Sequence, residues 1–289
     1  MVLGGRTIGL HLGDGVRGNT PRKRNICGVR ILTTKGHPQV PFGGEAQMPR
    51  NPSKLYTQHV ANLRELEAAL GNVARLARAA IASNDPHRSL RTLLRLYAFL
   101  VGAWAECRLR KLLYEENGFT DLERAPILGQ KTQQDQWEFL VDAAFRKHHA
   151  LPKAELNERT LGVAHAARRT ALLSALQNEL RIVIEIRNKL AHGQWIYPFN
   201  SEGTKVEPDK YQLINQENLL SLEFKLALIG HLADAVHDLV VSPRTFERDF
   251  EGHFKKLFQV QTNLKRRDYA KYEQSLVNSK EAARAKRDK

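Results

Sequence analysis

The sequence predicts an all-α protein, and three observations support this prediction. Between about residues 53 and 241, apolar side chains recur at spacings of three and four, which is the period of one helix face. Few segments have the alternating pattern of a half-buried strand. No Gly-rich phosphate loop and no Walker-type Gly-Lys-Ser/Thr sequence is present. A βαβ enzyme fold is therefore disfavoured, and a helical bundle is expected.

The first two predicted helices have clear start and end signals. Ser53 is the expected N-cap of the first helix, and Asn84-Asp85-Pro86 ends it. The second helix is strongly apolar and stops at Asn117-Gly118, a sequence typical of a left-handed helix exit. We expect a loop from there through Pro126 and Gly129.

The middle of the chain predicts one short and one long helical stretch. The short helix covers Gln133 to His149. The long stretch is capped by Asn157, is kinked near Gly162, and ends where Gly193 follows His192.

The last part is predicted as a loop and two further helical segments. Residues 194–214 should form the loop, with a short hairpin possible from Gln194 to Phe199. Asn215 is expected to cap a helix that ends at Ser242-Pro243. The final segment, Arg244 to Lys289, is charged and helix-prone, and its apolar stripe fades beyond Leu264.

Composition divides the chain into three parts. Residues 1–50 contain ten of the 19 glycines and four of the 11 prolines, so we expect a disordered basic extension. Residues 51–242 should form the helical domain, and residues 243–289 a charged helical segment and tail.

The net charge of +14 invites a nucleic-acid interpretation, but its distribution weakens it. Residues 1–50 hold eight Lys/Arg against two acids, and residues 265–289 hold nine against four. The excess charge is therefore concentrated at the two ends. Such ends can bind RNA without reading its sequence, and they are equally consistent with solvated tails.

Cysteine usage and hydropathy indicate a cytoplasmic protein with no membrane segment. Cys27 and Cys107 lie far apart without a CxxC or CxxH pattern, which argues against a disulfide scaffold and against a zinc site. The longest apolar run, Leu96 to Ala105, is about half of what a spanning helix needs. His148 and His149 are adjacent and should point apart on a helix, so we expect no metal ligand pair and no cofactor.

One stretch of the sequence suggests a specific chemistry. Residues 182–193 read Ile-Val-Ile-Glu-Ile-Arg-Asn-Lys-Leu-Ala-His-Gly, an apolar helix that ends abruptly in polar residues. This stretch resembles the signature of the HEPN superfamily, in which Arg is followed by a polar residue, commonly Asn, and then by His after four to six positions. Here Arg187, Asn188 and His192 occupy those positions, with four residues between Arg and His.

The resemblance implies a helical bundle that dimerises around the motif and acts as a metal-independent endoribonuclease. It also implies a toxin–antitoxin, abortive-infection or other defence setting, with an antitoxin or inhibitory protein as a further partner. The bare spacing is not specific, because Arg6 and Arg248 also precede a histidine by five positions. Neither is followed by Asn, so the context is what separates Arg187 from them.

These residue types suit RNA cleavage by attack of the ribose 2′-hydroxyl on the neighbouring phosphorus. Histidine can move a proton near neutral pH, and Arg stays charged and binds phosphate oxygens through a planar fork. Arg187 and His192 should lie about 140° apart on a regular helix. Gly193 is expected to unwind the helix at His192. Because one chain offers one such His, a two-fold dimer would supply the second proton carrier.

Four further residues are supporting candidates. Glu185 lines up with Asn188 and His192 on one helix face, although an ion pair with Lys189 is the alternative. Trp195 and Tyr197 follow the motif and could stack on a base or simply cover the core.

Glu106 is a polar residue within the apolar second helix. It could face the same cleft as the motif, or it could pair with Arg110 at i+4. Three interpretations of the chain therefore remain open: a ribonuclease, a non-catalytic helical module that binds RNA, nucleotide or protein, and an unrelated helical interaction protein.

Overall fold

The computed structural model describes residues 53–83 and 87–287, and every regular element in these ranges is helical. The predicted disorder of residues 1–50 and the predicted break at Asn84-Asp85-Pro86 lie outside the described residues. The elements are α1 (Lys54–Ala82), α2 (His87–Leu113), α3 (Asp121–Leu128), α4 (Gln133–His148), α5 (Glu158–Leu161), α6 (Val163–Ala175), a π-helical turn (Leu176–Leu180), α7 (Arg181–Ala191), α8 (Pro208–Gln216), α9 (Leu219–Val241), α10 (Pro243–Arg266) and α11 (Tyr269–Ala285). The all-α prediction is confirmed.

Helices α1 and α2 form an antiparallel pair. Ser53 caps α1 as predicted, because its side chain accepts a hydrogen bond from the Tyr56 amide at 3.2 Å. Near one end of the pair the Lys111 ammonium lies 5.2 Å from the Tyr56 ring centroid. Further along, the Trp104 indole donates to Glu67 at 3.3 Å. The buried residues of α1 are Leu63, Leu70, Val73, Ala74, Ala77, Ala80 and Ile81.

The predicted loop through Pro126 is wrong, because this segment forms α3. Thr120 and Glu123 make a reciprocal capping box that satisfies amides in the first turn. Pro126 lies inside the helix, where it removes one amide donor without ending the helix. Ile127 is fully buried, which ties this short helix to the core.

The middle of the chain follows the prediction closely. Helix α4 begins at Gln133 and ends at His148. Asn157 caps α5 through hydrogen bonds from two backbone amides. The kink predicted near Gly162 is a break between α5 and α6, and this glycine adopts φ +78°. A π-helical turn then shifts the helical register immediately before α7.

The segment after α7 contains a helix that the sequence did not indicate. Pro208 occupies the first turn of α8, a favourable position for proline, so the predicted loop over 194–214 is wrong in its last residues. Instead of the possible hairpin, one isolated antiparallel bridge joins Phe199 and Val206. Asn218, rather than the predicted Asn215, caps α9 by accepting from Ser221 N at 2.9 Å.

Helix α9 is central to the packing. It contacts α1, α2, α4, the π-helical turn and α10. Its buried Glu223 forms an ion pair with Arg78 of α1. None of the helices in the described ranges is long and apolar enough to cross a membrane.

The charged C-terminal segment consists of two helices that pack on the rest. Helix α10 lies against α9, and α11 lies against α1. Phe246, Phe250 and Leu257 of the predicted apolar stripe are buried, whereas Phe254 is 44% exposed. Beyond Leu264, where the apolar stripe weakens, α10 ends at Arg266 and a second helix follows to Ala285. Asp268 caps the start of this second helix.

Candidate functional site

Helix α7 presents the Arg-Asn-x3-His motif at its C-terminal end. Val183, Ile184, Ile186 and Leu190 are buried, so one face of α7 is fixed in the core. The helix ends at Ala191, and His192 is its C-cap with φ −88° and ψ 16°. Gly193 follows with φ +75°, a conformation that favours glycine. The predicted helix end at His192 and Gly193 is confirmed.

Arg187 lies on the face of α7 that packs against α2. Gly102 of α2 lies directly under it: a methyl group there would overlap Arg187 Cβ and lie 2.7 Å from its Cγ. The Arg187 Nη2 donates to Glu106 Oε2 of α2 in an ion pair, and Nη1 donates to Asn188 Oδ1 at 3.0 Å. The Nε atom is buried and has no hydrogen-bond partner within the described residues.

Glu106 faces Arg187 of the motif, and the alternative considered from the sequence, a pair with Arg110, is not formed in the described residues. It pairs with Arg187, 81 positions away, rather than with Arg110 on its own helix. The side chains of both partners are partly exposed, Arg187 at 27% and Glu106 at 35%, so solvent reaches the pair. A ligand can approach the outer edge of this guanidinium.

His192 lies exposed beyond the end of α7, and Asn188 one turn before it is exposed as well. Within the described residues, no hydrogen bond involves the His192 ring, and none joins it to Arg187. The Arg187 side chain is directed toward α2 while the His192 ring lies in solvent. A single chain therefore does not bring the two groups onto one preformed phosphate position.

Glu185 and Lys189 do not form the ion pair considered from the sequence. Glu185 pairs with Lys210 of α8 and lies 3.6 Å from the Arg181 guanidinium. Lys189 donates to Phe199 O and pairs with Glu207. The four-residue spacing of Glu185 and Lys189 suggested a pair, but α8 and the loop between α7 and α8 supply the partners instead. Lys189 thus holds this loop against α7 and Glu185 holds α8, and in the described residues no hydrogen bond or ion pair joins either side chain to His192.

Trp195 and Tyr197 have different surroundings. The Trp195 indole donates to Leu190 O at 3.0 Å, and the backbone carbonyl of Trp195 accepts from Arg95 Nε at 3.2 Å. This residue therefore secures the loop after the motif. Tyr197 is 53% exposed and stacks on Tyr211 of α8 with centroids 5.7 Å apart and planes at 11°. The pair forms an exposed aromatic surface after the motif.

Sequence reasoning missed two residues that shape this region. Tyr211 was hidden because its segment was predicted as loop. Arg95 lies within an apolar helix yet is 4% exposed, and its Nη2 donates to Asn215 Oδ1 at 2.7 Å while Nη1 donates to Ile214 O. An arginine on the apolar face of α2 was the available signal, since buried arginines require several acceptors.

A second polar cluster lies where α4, α6 and α10 meet. His148, His149 and His165 each offer a nitrogen, and these atoms lie within 4.8 Å of one another. His148 and His165 both contact Glu247 of α10. Burial, together with the charges of His148 and His165, lowers the pKa of His149.

The expectation that His148 and His149 would point apart is wrong, because it assumed that both lie within one regular helix. His149 is the C-cap of α4 with φ −98° and ψ 6°, and the helical angle between neighbours therefore does not apply to it. Its ring centroid lies 4.6 Å from that of His148. These histidines form the one group in the described part of the chain with a geometry suited to a metal ion.

The comparisons with known proteins add no family to this picture. The chain matches no protein-family model, and neither a curated protein nor a solved structure matches it.

Proposed function

We propose that the protein is a metal-independent endoribonuclease in which Arg187 and His192 act on one RNA phosphate. The observation that carries the proposal is the end of α7: a guanidinium oriented by an acid and an exposed imidazole lie within five residues of each other. The wider fold agrees, since the motif-bearing helix is part of an all-helical body.

The reaction needs only groups that these residues supply. The ribose 2′-hydroxyl loses its proton to a base and attacks the adjacent phosphorus, and the bond from phosphorus to the 5′-oxygen breaks. The leaving oxygen takes a proton from an acid, which yields a 2′,3′-cyclic phosphate and a 5′-hydroxyl end. His192 transfers protons, a role that typically contributes about 10²–10⁴-fold to the rate. Arg187 stabilises the charge that develops on the phosphate oxygens.

Glu106 positions Arg187 in this scheme. A guanidinium has five N–H donors, of which Glu106 and Asn188 each take one. The remaining donors on Nη1 and Nη2 are available to phosphate oxygens at the solvent-exposed edge. Because a carboxylate holds the group in place, less conformational entropy is lost when the phosphate binds.

A second copy of the chain completes the site in this proposal. One chain supplies one His192, whereas acid–base cleavage uses a proton acceptor and a proton donor. Asn188, Ala191 and His192 are exposed at the tip of α7, so a two-fold axis there can bring two copies of the motif together. An isologous dimer of this kind offers two Arg and two His to one RNA phosphate.

RNA is the substrate class, and a toxin–antitoxin, abortive-infection or other defence setting follows from the HEPN resemblance alone. An antitoxin or inhibitory protein is the corresponding partner. The exposed pair Tyr197 and Tyr211 offers a stacking surface for a base, which contributes about 1–3 kcal/mol per base. The basic terminal segments add attraction for RNA that depends on salt concentration.

A non-catalytic helical module is the second candidate, and one observation favours it. Arg187 is already hydrogen-bonded to Glu106 and Asn188, and no hydrogen bond joins it to His192 in the described residues. In that case the Arg187–Glu106 pair joins α7 to α2, and the exposed end of α7 binds RNA, nucleotide or a protein without cleavage.

Incubation with mixed RNA in EDTA distinguishes the two candidates. The wild type and Arg187→Ala are compared with Arg248→Ala. Arg248 is exposed, has the same spacing to a histidine and, among the described residues, pairs only with its neighbour Asp249. Cleavage by the wild type and Arg248→Ala, but not by Arg187→Ala, supports the ribonuclease. RNA binding without cleavage by the wild type contradicts it and favours the module.

A further inference from the structure

Three histidines and one glutamate come from three separate helices to one point. His148 is the last residue of α4, His149 is its C-cap, His165 lies in the first turn of α6, and Glu247 belongs to α10. The ring centroids of His149 lie 4.6 Å from those of both His148 and His165. The centroids of His148 and His165 are 5.7 Å apart.

One oxygen of the Glu247 carboxylate lies close to two of these rings. Glu247 Oε1 is 2.5 Å from His165 Nε2 and 3.2 Å from His148 Nε2. The other oxygen, Oε2, accepts from Arg168 Nη1 at 2.5 Å. Arg168 thereby fixes the carboxylate and leaves Oε1 directed at the histidines.

The hydrogen bond on the far side of His165 determines which nitrogen is available. His165 Nδ1 lies 3.3 Å from Leu161 O, and a carbonyl can only accept, so Nδ1 carries the proton. The neutral ring then has a lone pair on Nε2 that faces the carboxylate oxygen of Glu247. Two acceptors at this separation repel each other unless they share a proton, and a metal cation bound to both would relieve the same repulsion by holding them further apart.

Hydrogen bonding of one ring nitrogen to a backbone carbonyl is also what metal-binding histidines use to fix their tautomer. His149 adds a further sign: its Nε2 is buried and has no hydrogen-bond partner among the described residues. An ion-pair network around Glu247 accounts for His148, His165 and Arg168, but it gives this nitrogen no role. A metal ion accounts for all three histidines.

We infer that His148, His149 and His165 bind one Zn²⁺ ion, with Glu247 Oε1, which lies next to two of these rings, as the fourth ligand. Three imidazole nitrogens and one carboxylate oxygen form a closed four-ligand set, which is typical of a structural rather than a catalytic zinc site. Zinc–nitrogen bonds of about 2.0–2.1 Å place ligand atoms about 3.3 Å apart in a tetrahedron. The three histidine nitrogens lie within 4.8 Å of one another and have to be drawn inward by ring rotation when the ion binds. Glu247 Oε1, now 2.5 Å from His165 Nε2, has to move slightly away from it.

The site joins α4, α6 and α10, which fixes the C-terminal helical segment to the middle of the chain. In the described residues, no hydrogen bond or ion pair joins any of its four residues to Arg187 or His192. The inference is therefore independent of the proposed function: zinc stabilises the fold, and RNA cleavage takes place without metal chemistry. Because zinc binds the folded chain, it should also raise the thermal unfolding temperature.

Titration of the tag-free, metal-stripped protein with ZnCl₂ tests the inference. Calorimetry and metal analysis should give one Zn²⁺ per chain, and the unfolding temperature should rise by several degrees and fall again with EDTA. His149→Ala should weaken Zn²⁺ binding by more than about 10–100-fold, the loss that even an outer-shell partner causes. His59→Ala, which removes a histidine stacked on Tyr114 elsewhere, should bind Zn²⁺ as the wild type does.

His149→Ala is the informative variant because His149 makes no hydrogen bond to Glu247 and its loss leaves the ion pairs intact. Wild-type Zn²⁺ affinity in this variant overturns the inference and leaves an ion-pair network. Co²⁺ provides a readout that needs no variant, since tetrahedral Co²⁺ absorbs strongly in the visible range. The wild type should show this absorption at one equivalent, and its absence also overturns the inference.

Discussion

Gly102 of α2 and Arg187 of α7 are in such close contact that no side chain larger than hydrogen fits at position 102. This contact brings the two helix backbones together at the level of the motif. It also places Glu106, one turn further along α2, within hydrogen-bond distance of the Arg187 guanidinium. The position of the arginine thus depends on a glycine and a glutamate of another helix.

Gly102→Ala is expected to destabilise the protein by about 1–3 kcal/mol, because the added methyl group forces Arg187 or the whole of α7 to move. The free energy of unfolding in urea measures this loss. Gly71→Ala is the matched control: Gly71 lies mid-helix in α1 with no neighbour within 4 Å of an added methyl. It should stabilise by up to about 1 kcal/mol. Equal effects at both positions would contradict the close packing.

Glu106→Gln is expected to reduce RNA cleavage by about 10-fold or more, because the neutral amide holds Arg187 less firmly at the phosphate position. The fold should be retained, since the amide oxygen still accepts a hydrogen bond. Single-turnover rates measure the effect, with the exposed Glu65→Gln on α1 as control. A loss of stability with an unchanged cleavage rate would instead assign Glu106 a purely structural role.

The proposed dimer makes a separate prediction about mixed variants. Arg187→Ala and His192→Ala should each be inactive alone, whereas a mixture that exchanges subunits should recover part of the activity through heterodimers. Light scattering on the wild type should give twice the monomer mass of 32.8 kDa. A monomeric mass with full activity would rule out the two-fold site.

Glu115, two residues after the end of α2, predicts how stability depends on pH. Burial alone would raise its pKa, but hydrogen bonds from His237 and Lys111 outweigh this and lower the pKa from 4.5 to about 2. The contribution of Glu115 to stability is therefore present above pH 4.5 and is lost as the pH falls toward 2.

His237 has the opposite dependence. Burial would lower the pKa of His237, but hydrogen bonds to Asp238 and Glu115 raise it above 6.5. The His237 contribution is present below pH 6.5 and is lost as the pH rises through the raised value.

Glu115→Gln should therefore lower the free energy of unfolding by roughly 1.5–3 kcal/mol at pH 5.5, where both charges are present. It should also flatten the fall in stability between pH 4.5 and 2. Urea denaturation at a series of pH values measures both effects, and Glu116→Gln at the neighbouring exposed position is the control. If the variant loses as much stability between pH 4.5 and 2 as the wild type does, other carboxylates cause the acid denaturation.

The sequence predicted those features that depend on residues close together in the chain. The end of α7 was predictable because Gly193 supplies the backbone conformation that terminates a helix. The caps at Ser53 and Asn157 were predictable for the same local reason. Helices α3 and α8 were missed because Pro126 and Pro208 indicated loops, whereas a capping box and a first-turn position accommodate them.

Contacts between distant residues could not be predicted. The apolar pattern of α2 marked Glu106 as unusual but did not reveal whether it would pair with Arg110 or with Arg187, because that depends on how two helices pack. The histidine cluster was missed for a related reason. Helical geometry was applied to His149, which has already left the helix, and nothing in the sequence links it to His165 or Glu247.

The most direct test of the central claim uses a short RNA whose cleavage site has been mapped with the wild-type protein. The rate is measured in EDTA for wild type and His192→Ala, with a second RNA that carries a single 2′-deoxyribose at that site. We predict that the wild type leaves a 2′,3′-cyclic phosphate, that His192→Ala is slower by about 10²-fold or more, and that the deoxy substitution abolishes cleavage. Cleavage of the deoxy substrate, or a His192→Ala rate equal to that of the wild type, would contradict the account.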